Sequence, residues 1–235
     1  MLRLPGRADG IRVWKHTGLV DGFLMKKVPA DNKKMMRIAV TGGAGSGKSS
    51  FCRFLAEQGF CVIDLDVLAR EAVRPGMPAY HAIVAAFGPA SVGKDGNLDR
   101  AWLRDRMIRE PEARTRLEAA IHPVVYRLME AEIARQEEMG AGVVVVEFPL
   151  LFETKRESFF DRVIVVFVPP EVQMARLMAR DGVDRASAER LIRIQMPLGE
   201  KARKADLVFD NSGSLEHMKA CILGWMEKGE LAAEG

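Results

Sequence analysis

From residue 36 onward, short apolar runs alternate with longer stretches whose apolar residues recur every three to four positions. "RIAVTG" (37–42), "FCVID" (60–64), "GVVVVEF" (142–148), "DRVIVVFV" (161–168) and "ADLVFD" (205–210) are rich in Val, Ile and Phe. They alternate little with polar residues, which is the pattern of strands buried on both faces. Between them, "KSSFCRFLAEQG" reads as a helix stopped by Gly59, and "DVLAREAV" as a helix ended by Pro75 and Gly76. Helical patterns then run from Pro78 to about Met139, with Asp99 as the predicted N-cap of "RAWLRDRM". A charged helical stretch, "PEVQMARLMARDGVDRASAERLIRIQ", precedes the last strand, and a final helix begins near Ser214. Strands that alternate with helices predict an α/β fold: three α/β/α layers around a five-stranded parallel sheet, with helical insertions after the second strand and before the last.

The first 35 residues show neither period and no apolar signal-type core, so they are read as a flexible N-terminal extension, or as an upstream start ahead of Met35 and Met36. They hold eight Lys/Arg against three Asp, a local charge of +5, which leaves residues 36–235 at −2 within a chain total of +3. A nearly neutral body argues against a nucleic-acid surface. The longest apolar stretch, "AGVVVVEFPLLF", is too short and interrupted to span a bilayer, so no membrane partner is expected. Three cysteines with no CxxC or Cys/His spacing suggest neither disulfides nor zinc, and a reducing, cytoplasmic setting is expected. One globular unit, monomeric or weakly self-associating, fits 235 residues.

"GGAGSGKS", Gly42 to Ser49, has the spacing G-x-x-x-x-G-K-[ST] and lies between a predicted strand and a predicted helix, the context in which this pattern cradles phosphates. The glycines let the backbone wrap a phosphate chain, and the helix that follows offers its positive end to the same anion. Gly43, Ala44, Gly45, Ser46, Gly47, Lys48, Ser49 and Ser50 are therefore the predicted ATP-binding segment. Lys48 is placed on the β- and γ-phosphates, and the Ser49 hydroxyl on Mg²⁺. The cradle alone fits a GTPase, a motor, a nucleotide-sensing regulator or a small-molecule kinase. A GTP switch needs N-K-x-D downstream, and the chain has none. "VVVVE" ends in Glu147 and runs into Pro149 and "LLF", more like a pocket wall than a switch.

A kinase also needs a base for the acceptor hydroxyl and cations for the transferring group. Asp64 and Asp66 close the second predicted strand, where doubly wound sheets gather such residues. One reading makes Asp64 the strand end and Asp66 the helix cap; the other gives at least one of them catalytic or metal work. Arg176 and Arg180, four apart, share a helix face, and Arg185, Arg190 and Arg193 follow in a segment that could close as a lid.

In order and spacing, "IAVTGGAGSGKSS", "VIDLDVLAREAVRPG", "DGNLDRAWLRDRM", "LEAAIHPVV", "EFPLLFE", "LMARDG" and "QMPLGEKARKADLVFDNSG" resemble the dephospho-CoA kinases. The resemblance runs from about Met36 through Gly213 into the final helix and excludes the extension. It implies a P-loop domain at 36–235 carrying a helical CoA-binding insertion at 67–128 and a lid at 174–201. It implies ATP-dependent phosphorylation of the ribose 3′-hydroxyl of dephospho-CoA, with Asp66 as base, Asp64 in support or in the Mg²⁺ shell, and Glu147 near the metal through water. It further implies that Arg180 faces the ATP phosphates, that Arg70 and His122–Pro123 lie in the region shaping the acceptor pocket, and that Asn211 stands near adenine. The chain departs from the pattern at Ser50, where threonine is common, and at Leu191, where the family's lid arginine is displaced towards Arg190 and Arg193.

Overall fold

The structure, a computed structural model, describes residues 34–110 and 112–227 and the backbone of residues 12–14. Six strands form one sheet in the order β1-β6-β5-β2-β4-β3. They are β1 Arg12–Trp14, β2 Met36–Gly42, β3 Cys61–Asp64, β4 Val143–Glu147, β5 Arg162–Phe167 and β6 Leu207–Asp210. The five strands expected from the apolar runs are all present, and the registers of β2 with β4, β2 with β5 and β5 with β6 are parallel. The sixth strand was not expected: Arg12–Trp14 pairs parallel with Leu207–Phe209, inside the segment read as a flexible extension. Three residues are too few to show a period, so the sequence pattern could not reveal this edge strand. The rest of that reading lies outside the described residues.

The chain divides into two compact units. The first holds residues up to Ile63 and from Gln136 onward, and its core packs α1 (Lys48–Glu57) and α9 (Leu215–Glu227) on the sheet. Phe51 of α1 meets Phe209 of β6 edge-on at 4.8 Å between ring centroids, and Phe209 meets Trp225 of α9 at 5.4 Å. Fully burying such rings contributes about 2–3 kcal/mol each, so the helix that leaves the phosphate loop is firmly fixed to the sheet. The same unit carries α6 (Pro170–Asp181), α7 (Arg185–Arg193) and α8 (Leu198–Lys204) between β5 and β6.

The second unit, Asp64–Arg135, is helical: α2 (Leu65–Ala72), α3 (Pro78–Phe87), α4 (Arg100–Arg109) and most of α5 (Ala113–Glu138). Its buried side chains include Ala79, Ile83, Leu103, Val125 and Met129. The Asp99 carboxylate caps α4 by accepting the Trp102 amide at 2.9 Å, as the sequence predicts. Pro123 lies inside α5, where it removes one helical donor, and His122 beside it faces Tyr126 one turn on, at 5.5 Å between rings. No helix among the described residues is long and apolar enough to cross a membrane.

Candidate active site

The loop from Gly42 to Ser49 leaves the buried end of β2 and turns through two left-handed residues, Gly45 (φ 76°) and Gly47 (φ 87°). Close neighbours crowd the glycines, most firmly at Gly45, where the neighbour is backbone. A Cβ on Gly43 would collide with Gln173 Nε2, one on Gly45 would lie 2.8 Å from the Gln173 carbonyl oxygen, and one on Gly47 would collide with Asn211 Nδ2. Helix α1 then begins at Lys48 with Gly47 as its N-cap and no capping side chain. Its first amides are thus left for an anion, reinforced by the positive end of the helix.

Register brings a carboxylate to this loop. Glu147, the last residue of β4, pairs with Val40 of β2, two residues before the loop, and only 4 % of its surface is exposed. A buried carboxylate needs partners, and Glu147 Oε1 accepts from Lys48 Nζ at 2.9 Å and from Ser49 Oγ at 2.7 Å. The predicted set Lys48, Ser49 and Glu147 is therefore one cluster. No group of three or more Asp, Glu, His or Cys able to hold a metal occurs among the described residues. One carboxylate beside one hydroxyl is instead the hard-oxygen pair that suits a Mg²⁺ ion held mainly by nucleotide phosphates and water.

Asn211 backs the loop: its Nδ2 donates to the Ser46 carbonyl at 2.8 Å. Arg176 holds the segment after β6, with Nη1 on the Asn211 carbonyl at 2.8 Å and Nη2 on that of Gly213 at 3.0 Å. Arg180 is placed differently. It lies on the exposed side of α6 with Nε and Nη2 on the Asp181 carboxylate, which raises its already high pKa and lowers that of Asp181. Arg185 and Arg193 likewise pair with Glu189, and Arg190 donates to Ser187.

Four supporting residues escaped the sequence reading. Gln173 and Gln195 bond to Ala44, and Glu153 accepts both the Met196 amide, at 2.8 Å, and the Lys201 ammonium, at 2.8 Å. Lys201 has no exposed surface and also donates to the Pro149 carbonyl at 2.7 Å. Burial pushes its pKa down, opposed by Glu153 and aided by the charge of Lys48. "GEKARK" is lysine- and arginine-rich throughout, and nothing in its pattern singles out the buried one.

In the second unit, Asp64 ends β3 and is itself the N-cap of α2, accepting from the amides of Asp66 at 2.8 Å and Val67 at 3.3 Å. This corrects the expectation that Asp66 caps the helix. The helix starts two residues earlier than a cap at Asp66 implies, so Asp66 falls in the first turn with its side chain exposed. The same unit has an open groove of about 490 Å³ whose lining includes Arg70, Arg74, Asn97, Asp99 and Arg100. Asp95 at its rim is held below the usual carboxylate range by hydrogen bonds from Asn97.

Comparison with known proteins identifies the family. The profile of the dephospho-CoA kinase family matches residues 36–217. A dephospho-CoA kinase of Carboxydothermus hydrogenoformans is 42% identical over 191 residues, 81% of this chain and 93% of that protein. One from Geobacter metallireducens is 42% identical over 83% of this chain and 98% of its own length. Among solved structures, TT1252 from Thermus thermophilus superposes with a TM-score of 0.71 at 34% identity, covering 86% of this chain and all of that one. A dephospho-CoA kinase from Campylobacter jejuni gives 0.62 at 26% identity, over 82% of this chain and 98% of that one. The chain belongs to the dephospho-CoA kinase family.

Proposed function

We propose that this chain performs its family's reaction, ATP-dependent phosphorylation of the ribose 3′-hydroxyl of dephospho-CoA to give coenzyme A and ADP, by direct in-line transfer. That reaction is the final step of coenzyme A synthesis. The observation that carries the mechanism is the uncapped start of α1, where Lys48 and Ser49 already converge on buried Glu147. The loop amides and the Lys48 ammonium hold the β- and γ-phosphates, and Ser49 and Glu147 are the oxygens offered to Mg²⁺. When bound, the ion neutralises charge that develops on the phosphate oxygens.

The 3′-oxygen forms its bond to the γ-phosphorus as the bond to the β–γ bridging oxygen breaks, and ADP leaves. Asp66 takes the hydroxyl proton, and Asp64, committed to the amides of Asp66 and Val67, orients the turn that carries the base. The Arg70 and Arg100 groove belongs to acceptor recognition, Asn211 with its Arg176-held segment to the adenine end, and the α6–α7 arginines to lid closure. The three cysteines form no disulfide, which fits a reducing cytoplasm, and the chain is taken as a monomer or weak homo-oligomer.

The test is a coupled ADP-release assay with Mg-ATP and dephospho-CoA. Asp66→Asn should lower kcat by about 10²–10⁴-fold while ATP binding persists. Turnover with a nucleotide or sugar acid but none with dephospho-CoA would sink the assignment, and equal losses in Asp64→Asn and Asp66→Asn would remove the distinction between base and support.

A further inference from the structure

Ala44, at the turn of the phosphate loop, is gripped on both of its backbone polar atoms by side chains from outside the loop. Its amide donates to Gln195 Oε1 at 2.9 Å, and its carbonyl accepts from Gln173 Nε2 at 2.9 Å. Gln173 is in the first turn of α6 and is 5 % exposed; besides this bond, its amide abuts Gly43 and its carbonyl abuts Gly45. Gln195 stands in the turn between α7 and α8 on a fixed footing, because the next amide, that of Met196, is tied to Glu153, and Glu153 to buried Lys201.

Two glycines flank Ala44, and glycine imposes little conformation of its own, so the loop's shape must be imposed from outside. The clamp occupies the Ala44 amide itself, and the Ser46 amide closes back on the Gly43 carbonyl at 3.1 Å. The amides of Gly45, Gly47 and Lys48 donate to no protein acceptor among the described residues and stand ready for phosphate oxygens. A cradle shaped in advance does not have to be ordered when the nucleotide arrives, and small displacements of a phosphate cradle are costly to transfer.

We propose that Gln173 and Gln195 are positioning residues for phosphoryl transfer: they clamp Ala44 so that the following loop amides are preset for ATP, and Gln195 makes that setting depend on the helical arm 185–204. The proposal rests on the assignment of Gly42–Ser49 as the ATP cradle.

The test uses the full chain with Gln195→Met, which keeps the side chain's length and removes its acceptor, and Gln195→Glu, which keeps an acceptor. In nucleotide-free protein, the Ala44 amide resonance should move upfield and exchange faster in Gln195→Met, and stay near its wild-type position in Gln195→Glu. In the kinase assay, Gln195→Met should lower kcat/KM for ATP about ten-fold and leave KM for dephospho-CoA and the melting temperature nearly unchanged. An Ala44 resonance that ignores the methionine, or a kcat/KM for ATP within about two-fold of wild type, overturns the proposal alone. If the wild type itself fails to bind ATP, the cradle assignment falls and the proposal falls with it.

Discussion

The surroundings of the phosphate loop and the helical unit treat charge in opposite ways. Beside the loop, ions are buried and shared, unlike the exposed pairs of α6 and α7 in the same unit: Glu147 holds Lys48 and Ser49, and Glu153 holds Lys201 and the Met196 amide. In the helical unit Asp64–Arg135, ion pairs such as Arg109–Asp105 and Arg114–Glu118 are exposed, helix-local and four residues apart. Exposed pairs of that kind contribute about 0.3–0.5 kcal/mol, whereas removing one member of a buried pair costs about 3–5 kcal/mol. The contrast follows the chemistry. In the proposed reaction the triphosphate meets a loop backed by the buried Glu147 carboxylate, while the acceptor meets an open groove lined by Arg70, Arg74 and Arg100.

The largest break in this contrast should come from Lys48→Met. It removes the cation from the phosphates and leaves Glu147 without its charged partner, so kcat/KM for ATP should fall about 10³-fold in the coupled assay. A fall of less than about ten-fold would mean that the loop amides alone carry the phosphate charge.

Next comes Lys201→Met, which strands Glu153 and should lower stability by about 3 kcal/mol, read as a melting-temperature drop of about 6–12 °C. The gap should depend on pH. Burial holds the Lys201 ammonium below the ordinary lysine value, so in the interval between those values the unfolded chain binds more protons than the folded one. Wild-type stability from this group therefore rises with pH, and the gap to Lys201→Met should widen as pH rises towards the ordinary lysine value of 10.5. A gap that narrows would place the lysine's charge in a better solvated setting than its burial indicates.

How much of this was legible in the sequence depended on how local each signal is, not on which unit carries it. The cradle could be read because glycine spacing, a lysine and a serine at fixed offsets leave one physical interpretation, whereas the place of Glu147 came from the family resemblance. The clamp on Ala44 could not, because Gln173 and Gln195 lie 129 and 151 residues from it and only tertiary packing unites them. Strand β1 was too short to show a period, and the cap of α2 was misplaced by two residues because Asp64 and Asp66 are equally good capping residues by type. Arginines read least well. Arg176 and Arg180 share one helix face by spacing, yet only Arg176 turns to the segment after β6, and periodicity carries no information on which carboxylate or carbonyl captures each head group.

On the acceptor side, Arg100→Ala should raise KM for dephospho-CoA about ten-fold and leave KM for ATP and the melting temperature near wild type. Steady-state kinetics with each substrate varied in turn would check this. If KM for ATP moved instead, the groove would belong to the nucleotide, and the division between a buried donor side and an open acceptor side would fail.

The smallest effect, and the one that sharpens the contrast most, lies within α6. Arg180 is exposed and already bonded through two nitrogens to Asp181, so recruiting it to a phosphate means breaking a pair of little net value and moving a long side chain through solvent. Arg176 bonds two backbone carbonyls of the segment after β6, and its loss leaves both acceptors to water. Arg176→Ala should therefore raise KM for ATP about five- to ten-fold, through the shape of that segment. Arg180→Ala should change stability by less than about 0.5 kcal/mol, and its effect on kcat isolates what the arginine does once ATP is bound. A fall in kcat of about ten-fold or more, with KM for ATP unchanged, would mean that Arg180 leaves Asp181 for the transferring group; kcat near wild type would confine that role to other cations of the arm.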